Sequence, residues 1–382
     1  MKIPVYLDYN STTPADAEVV KAMMPYFSDK FGNAASKSHR YGWEAEEAVE
    51  FSRKKIAELI NAESNEIIFT SGATESVNLA IKGVVESFNG KKNHIITCNI
   101  EHYAVLDTVK YLEKFGIEVT LVKADANGFV NPEDILKNIT GKTAIVSVMT
   151  ANNEIGTIQP VAEIAGICKD KGVLFHTDSS QAVGKIPIDV KAVGIDLMSF
   201  SSHKIYGPKG IGALYVRNKN PKINITEQIN GGGHEKGLRS GTLNVPAIVG
   251  FGKACELSKE KMFDEYKTQE VLRDRLINNL VNNLKFTTLN GDSTKRLPNN
   301  ANICFEKVDS TVLMSETKEL AFSTGSACTS VSLEQSHVLK AIGKTDEDSR
   351  CSVRFGIGRY TTNEEIDFAI EKLIDAVKKI RN

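Results

Sequence analysis

Long apolar runs are missing from this 382-residue chain: none approaches the roughly 18–20 residues that a membrane span needs, and MKIPVYLDYNSTTP turns polar too soon for a signal peptide. A dominant charge is missing too. Lys and Arg total 47 against 48 Asp and Glu, a formal net charge of -1, which excludes the basic footprint of a nucleic-acid or membrane surface. Paired cysteines are missing: the six, at 98, 168, 255, 304, 328 and 351, contain no CxxC, so neither a disulfide framework nor a metal site is expected, and the thiols read as those of a reduced, cytoplasmic protein. Cys98-x3-His102 is the one metal-like spacing, and it has no second pair. Repeats and low-complexity linkers are absent, as is the GxxxxGK[ST] loop of nucleoside-triphosphate sites. What remains is an ordinary globular composition, 41% hydrophobic and 25% charged, on a chain long enough for two domains.

What is present alternates. EIIFT (66–70), HIITC (94–98), IEVTLV (117–122), TAIVSVM (143–149), VLFHT (173–177), DLMSF (196–200) and IGALYV (211–216) are short apolar runs, largely separated by helical patterns. Runs without in–out alternation are strands buried on both faces, so they predict an α/β fold with a mostly parallel, mixed seven-stranded sheet between helices. A helix over 44–60 precedes the alternation, with Ala45, Ala48, Phe51, Ile56 and Leu59 on its inner face. After Gly250 the pattern changes to a charge-rich helix over 253–284, a weak strand near 285–289, ANICFE (301–306), a helix near 309–318, SVRFGI (352–357) and a final helix from Asn363. This is a smaller α+β unit. The expected division is 15–255 for a large domain, and 1–14 with 256–382 for a small one.

Ligands of an open α/β sheet sit beyond the carboxyl ends of its strands, and this chain collects polar residues there. DLMSF runs into Ser201, Ser202, His203 and Lys204, then a Gly207-Pro208 turn. A lysine fixed there beside other cations can lose its proton and attack carbonyls. Ser71, Gly72, Ala73 and Thr74 follow EIIFT and open a helix, where N–H groups and the helix dipole favour a phosphate. His102 starts the helix after HIITC, Asn152 and Asn153 follow TAIVSVM, and Asp178 follows VLFHT with Gln181 one turn on. Singly, each has an ordinary role: an N-cap for Ser71 or Asp178, turn formation for the asparagines, a structural histidine. Together they meet the demands of one cofactor, pyridoxal 5′-phosphate. Lys204 supplies the imine, Asp178 keeps the pyridine nitrogen protonated, and Gln181 with Asn152 bonds the phenolic oxygen. Gly72, Ala73 and Thr74 with Ser201 and His203 surround the phosphate, and His102 lies against the ring.

The motifs DYNSTTP, FGNAAS, TSGATES, EHYAVLD, ANNEIGTIQP, HTDSSQAVGK, SFSSHKIYGPKG, GGGHEKGLRSGTLNVPAIVGFG and STGSACTS run in order from Tyr6 to about Tyr360. They resemble those of the IscS/NifS-type cysteine desulfurases of the class-V aminotransferase family. The resemblance implies a homodimeric fold-type-I pyridoxal-phosphate transferase that converts L-cysteine to L-alanine, leaving the sulfur as a persulfide on an enzyme cysteine. It implies Lys204, His102 and Cys328 as catalytic residues, with Cys328 the persulfide carrier and His102 the proton carrier. It further implies Thr242 as a ligand of the partner subunit's phosphate, and Asn33 and Arg354 as holders of the substrate carboxylate, a natural task for a guanidinium fork. The implied acceptor is an IscU-type iron–sulfur scaffold, whose cluster Cys328 would contact, or a tRNA-thiolation carrier. The alternative is a selenocysteine lyase, or another pyridoxal-phosphate lyase or aminotransferase on the same fold, which requires Lys204 and Asp178 but not Cys328. Two departures stand out: Ala34 replaces the usual proline of FGNAAS, and the sequence ends at Asn382, sooner than many members, which bears on scaffold docking.

Cys328 also draws notice without the family. Ser323, Thr324, Gly325, Ser326, Ala327, Thr329 and Ser330 give it no apolar anchor, so a mobile, exposed tether is expected. Cys98, Cys168 and Cys304 are expected as packing. At an ordinary thiol pKa of about 8.5 only a few per cent is thiolate at neutral pH, so a local base or cation is expected to help.

Overall fold

The computed structural model describes residues 2–219, 221–324 and 335–382. Seven strands form the central sheet, in the order Ile67–Thr70, Gly212–Val216, Leu197–Ser201, Leu174–Asp178, Thr143–Ser147, His94–Cys98 and Glu118–Val122. Gly212–Val216 runs antiparallel to both neighbours, and every other pairing is parallel. Its direction follows from its connection: residues 202–211 are too few for a crossover helix, so the chain must turn back. All but the edge strand Glu118–Val122 are buried nearly throughout, as strands covered by helices on both faces must be.

The first long helix spans Arg40–Leu59, starting earlier than its apolar pattern because the His39 ring accepts the Gly42 N–H as an N-cap. Ala45, Ala48, Ile56 and Leu59 are buried as expected, but Phe51 is 59% exposed. The inner stripe passes through Ser52 instead, because this helix meets the helix Val245–Asn283 closely there: a Cβ on Gly252 would lie 2.6 Å from that of Ser52. Only glycine permits that approach.

Val245–Asn283 is a single helix joining two apolar cores. Ile248, Phe251 and Ala254 belong to the core beside the seven-stranded sheet. Leu272, Leu276 and Leu280 belong to a second core, with Ile303 and Phe355 of a four-stranded antiparallel sheet and Ile366, Leu373 and Val377 of the last helix, Asn363–Arg381. Val5 and Leu7 sit in this second core too, and Val5–Tyr6 pairs in parallel with Leu320–Ala321. Val338, Leu339 and Ile342 return the other way and pack in the first core. No helix among the described residues is long and apolar enough to cross a membrane.

Candidate active site

The carboxyl ends of the parallel strands open into one cavity of about 500 Å³, lined by residues that follow those strands, by Arg354 of the four-stranded sheet and by Asn10, Ser11 and Thr12 of the N-terminal segment. Lys204 closes the short helical turn Ser202–Lys204 that ends Leu197–Ser201. Its Nζ donates to the carbonyls of Asn10 at 2.7 Å and Ser11 at 2.6 Å. Two further bonds align that segment: Thr13 N–H donates to the His203 carbonyl at 2.9 Å, and Tyr206 N–H to Thr13 Oγ1 at 2.7 Å. The N-terminal residues therefore aim the lysine.

Asp178 ends Leu174–Asp178, the strand beside that of Lys204, and is buried in the cavity wall with Oδ1 accepting the Ser180 N–H at 2.9 Å. Gln181, a turn later, lines the same wall and donates Nε2–H to the Asn10 carbonyl at 2.9 Å. His102 caps the helix Tyr103–Glu113, its Nδ1 accepting the Ala104 N–H at 3.1 Å, so a neutral ring carries its proton on Nε2. Gly72, Ala73 and Thr74 line the cavity at the start of Ala73–Ser87. Gly72 has a φ of 157°, which side chains rarely adopt, and Gly212 must itself be glycine, because a Cβ there would lie 2.7 Å from the Gly72 Cα. The first turn of that helix, with its N–H groups, thus lies flat against the sheet beside Ser201 and His203. Burial, and then the charges of Lys204, Lys209 and Lys185, push the His203 imidazole down to about 4, leaving it neutral, with Nδ1 3.1 Å from Thr12 Oγ1.

Arg354 comes from the strand Ser352–Gly356, between Val353 and Phe355 of the second core, and is 1% exposed. It donates to Asp8 Oδ1 at 3.0 Å, Ser11 Oγ at 2.7 Å and the Asn153 carbonyl at 3.0 Å, while its Nε has no hydrogen-bond partner among the described residues. A buried cation with an unused donor at a cavity wall is suited to a carboxylate.

Three of the expected site residues lie apart from this cavity lining. Asn152 does not line the cavity: its Nδ2 donates to the Ile100 carbonyl at 2.9 Å, and its Oδ1 accepts the N–H groups of Glu154 and Ile155 at 2.8 and 3.0 Å. The turn consumes its whole side chain, and Asn153 takes the place at the wall. Asn33 is exposed and spends its Oδ1 on the Ala35 N–H at 2.9 Å, away from the cavity lining. Thr242 is exposed and lies outside this chain's own cavity lining. Cys328 lies outside the described residues. The five other cysteines are all buried, and burial raises their thiol pKa values, that of Cys98 well above the ordinary value.

Sequence reasoning overlooked the residues behind the wall. Asn10 and Ser11 hold Lys204 through backbone carbonyls, which no side-chain pattern announces. Glu101 and Glu154 are buried carboxyls that burial pushes up to about 8 and about 7. Ser336 donates to Glu154, and His337 Nε2–H donates to the Glu101 carbonyl at 2.8 Å, bringing the start of the helix His337–Ala341 against this wall.

A family model for class-V aminotransferases matches residues 5–368. The chain is 50% identical over 381 residues to the cysteine desulfurase IscS of Anaeromyxobacter dehalogenans (strain 2CP-C), covering 100% of this chain and 94% of that protein. It is 51% identical over 381 residues to the cysteine desulfurase IscS of Rickettsia rickettsii (strain Iowa), covering 100% and 93%. Among solved structures, a NifS-like protein superposes with a TM-score of 0.92 at 37% identity, over 98% of this chain and 99% of that one.

Proposed function

The chain belongs to the class-V aminotransferase family, and on that footing we propose that it is a cysteine desulfurase: it takes L-cysteine, releases L-alanine and holds the sulfur as a persulfide on Cys328. The observation that carries the reading is that Lys204 and Asp178, on neighbouring strand ends, line one cavity with the glycine-led helix start Gly72–Thr74 and the unsaturated guanidinium of Arg354.

The residues present fit pyridoxal 5′-phosphate, the cofactor of this family. Lys204 would hold it as an imine, Asp178 would face its ring nitrogen, and His102 its ring. Gly72, Ala73, Thr74, Ser201 and His203 would hold its phosphate, with Thr242 of the partner subunit in a homodimer. Gln181 would meet its phenolic oxygen, and Asn153 stands at the wall where Asn152 was expected. When bound, the cofactor supplies an electron sink for the pair left on the substrate's α-carbon.

Arg354 would grip the substrate carboxylate, because its bonds to Asp8, Ser11 and Asn153 fix it at the wall and leave Nε to spare. Lys204 and His102, which both line the cavity, would move the α-proton. The Cys328 thiolate would attack the substrate sulfur. The new bond is S–S, the bond broken is C–S, and its electron pair stays on carbon to be protonated as the methyl of alanine. The raised pKa values of the five buried thiols support Cys328 as the nucleophile. The persulfide would pass to an IscU-type scaffold for iron–sulfur cluster assembly, in the cytoplasm. Exposed Phe31, Tyr41 and Trp43 support a subunit interface. The two apolar cores support the division into 15–255 and 1–14 with 256–382, apart from Val338, Leu339 and Ile342.

The test incubates the pure protein with L-cysteine and assays alanine and protein persulfide. Wild type is expected to make both, and borohydride to fix the cofactor on Lys204. Cys328→Ser is expected to bind cysteine and make neither. Alanine production by Cys328→Ser at the wild-type rate would replace this reading with that of a lyase.

A further inference from the structure

We propose that Lys185 is a positioning residue of this site: it fixes the carboxamide of Gln181 so that an N–H, and not an oxygen, faces the cavity. The inference rests on the reading of that cavity as a pyridoxal-phosphate site. Lys185 lies one helical turn beyond Gln181, and its buried side chain sets Nζ 3.0 Å from Gln181 Oε1. An ammonium can only donate, and the Asn10 carbonyl can only accept. Together they leave one orientation for the amide, with Oε1 toward Lys185 and Nε2 toward Asn10 O at 2.9 Å. Asn10 Nδ2–H also donates to that oxygen, at 3.3 Å. With its oxygen saturated from behind, Gln181 has only an N–H left for the cavity. That suits an anionic oxygen such as the cofactor's phenolate, and disfavours a donor in its place.

Packing does not explain the lysine. A methionine of similar length would fill the space without the penalty of burying a charge. The surroundings make the charge harder to keep: Lys204 and Arg354 are close enough to repel it, and His203 feels it in turn. Lys185 and Lys204 also share a small cavity of about 10 Å³ with Tyr9, Tyr206, Glu265 and Asn299, the size of a single water, to which the Asn299 amide, without a partner among the described residues, would bond. Burial first, then those two cations, bring the Lys185 ammonium down to about 7. Protonated, Lys185 locks the amide. Deprotonated, it can accept, and the lock loosens.

The test prepares Lys185→Met, Gln181→Ala and the double variant as apoproteins. It measures the dissociation constant for pyridoxal phosphate, the pH midpoint of the bound cofactor's absorption band and the thermal midpoint of the apoprotein. Lys185→Met is expected to weaken cofactor binding about tenfold, the scale of one hydrogen bond to a charged oxygen. It is expected to move the absorption midpoint upward, because a nearby positive charge has gone, and to leave the thermal midpoint unchanged or higher. In the Gln181→Ala background it is expected to weaken binding no further. Wild-type affinity with an unmoved absorption midpoint in Lys185→Met, or weakening that adds in full to that of Gln181→Ala, overturns the inference. Lys185→Leu carries the same test if the methionine variant does not fold. A wild-type protein that takes up no pyridoxal phosphate at Lys204 overturns the functional reading instead.

Discussion

Glu101 is a carboxyl group with no access to water: it is 0% exposed, Oε1 accepts the Met149 N–H at 2.6 Å and the Cys98 S–H at 3.3 Å, and Oε2 has no partner among the described residues. Burial pushes its pKa up to about 8. The folded state therefore prefers the proton. The stability this lends is fully present below about 4.5 and is lost as pH rises through 8. Glu101→Gln, which cannot ionise, is expected to gain stability relative to wild type on the order of 1 kcal/mol per pH unit between pH 5 and 8. Urea denaturation of both proteins across that range measures it, and a flat difference would contradict it. The neighbouring asparagines divide in another way. Asn152→Ala leaves three buried backbone groups without partners and is expected to lose about 3 kcal/mol of stability, while Asn153→Ala is expected to keep stability and weaken cofactor binding. Chemical denaturation and cofactor titration separate the two. The sequence NN holds two identical side chains, and only the turn's own hydrogen bonds decide which faces inward, so the one-residue displacement was not legible beforehand.

At the scale of elements, the outer edge of the sheet shows how a distant loop is held. Among the described residues, Ile67–Thr70 has a strand neighbour on one side only. On its open side Glu235 Oε2 accepts the Phe69 N–H at 2.7 Å, and Arg53, gripping Glu235 bidentately at 2.7 Å, donates to the Ile67 carbonyl at 2.8 Å. A buried ion pair thus occupies the edge that another strand could otherwise use. It also pins residues 235 and 236, both at positive φ, just before the segment that carries Thr242. Glu235→Ala removes the buried partner of the Arg53 guanidinium, leaving it Glu50 as its carboxylate partner, and is expected to lose about 3 kcal/mol, with faster amide exchange at Phe69 as the local sign. Nothing in the sequence announced this pair, because its members are 182 residues apart. The strands themselves were legible within one or two residues, since buried parallel strands are uninterrupted apolar runs. The reversed direction of Gly212–Val216 was less so, being a matter of connection length rather than composition.

Taken whole, the molecule has its site where two cores and one crossing segment meet. If Thr242 completes the partner's phosphate site, cofactor retention depends on assembly. Thr242→Ala is expected to weaken cofactor binding without lowering the melting temperature of the apoprotein, and wild type to lose colour on dilution into the monomer range. Absorbance during size-exclusion chromatography at falling concentration measures this, and a coloured monomer would contradict it. The polar strand ends were legible because chemistry concentrates there in any open sheet. Asn10 and Ser11 were not, since they act through carbonyls every residue possesses. The ion pair between Asp8 and Arg354 joins residues 346 apart, and that separation has a consequence for the order of events at the ribosome. The segment that aims Lys204 is made before the sheet, yet the cavity lacks a wall until the strand bearing Arg354 has emerged. Nascent chains halted before that point are expected to carry a folded sheet and a lysine ready to be trapped, but no grip on substrate. The capacity to bind L-cysteine would therefore appear all at once, when that strand joins its sheet, rather than growing with the length of the chain.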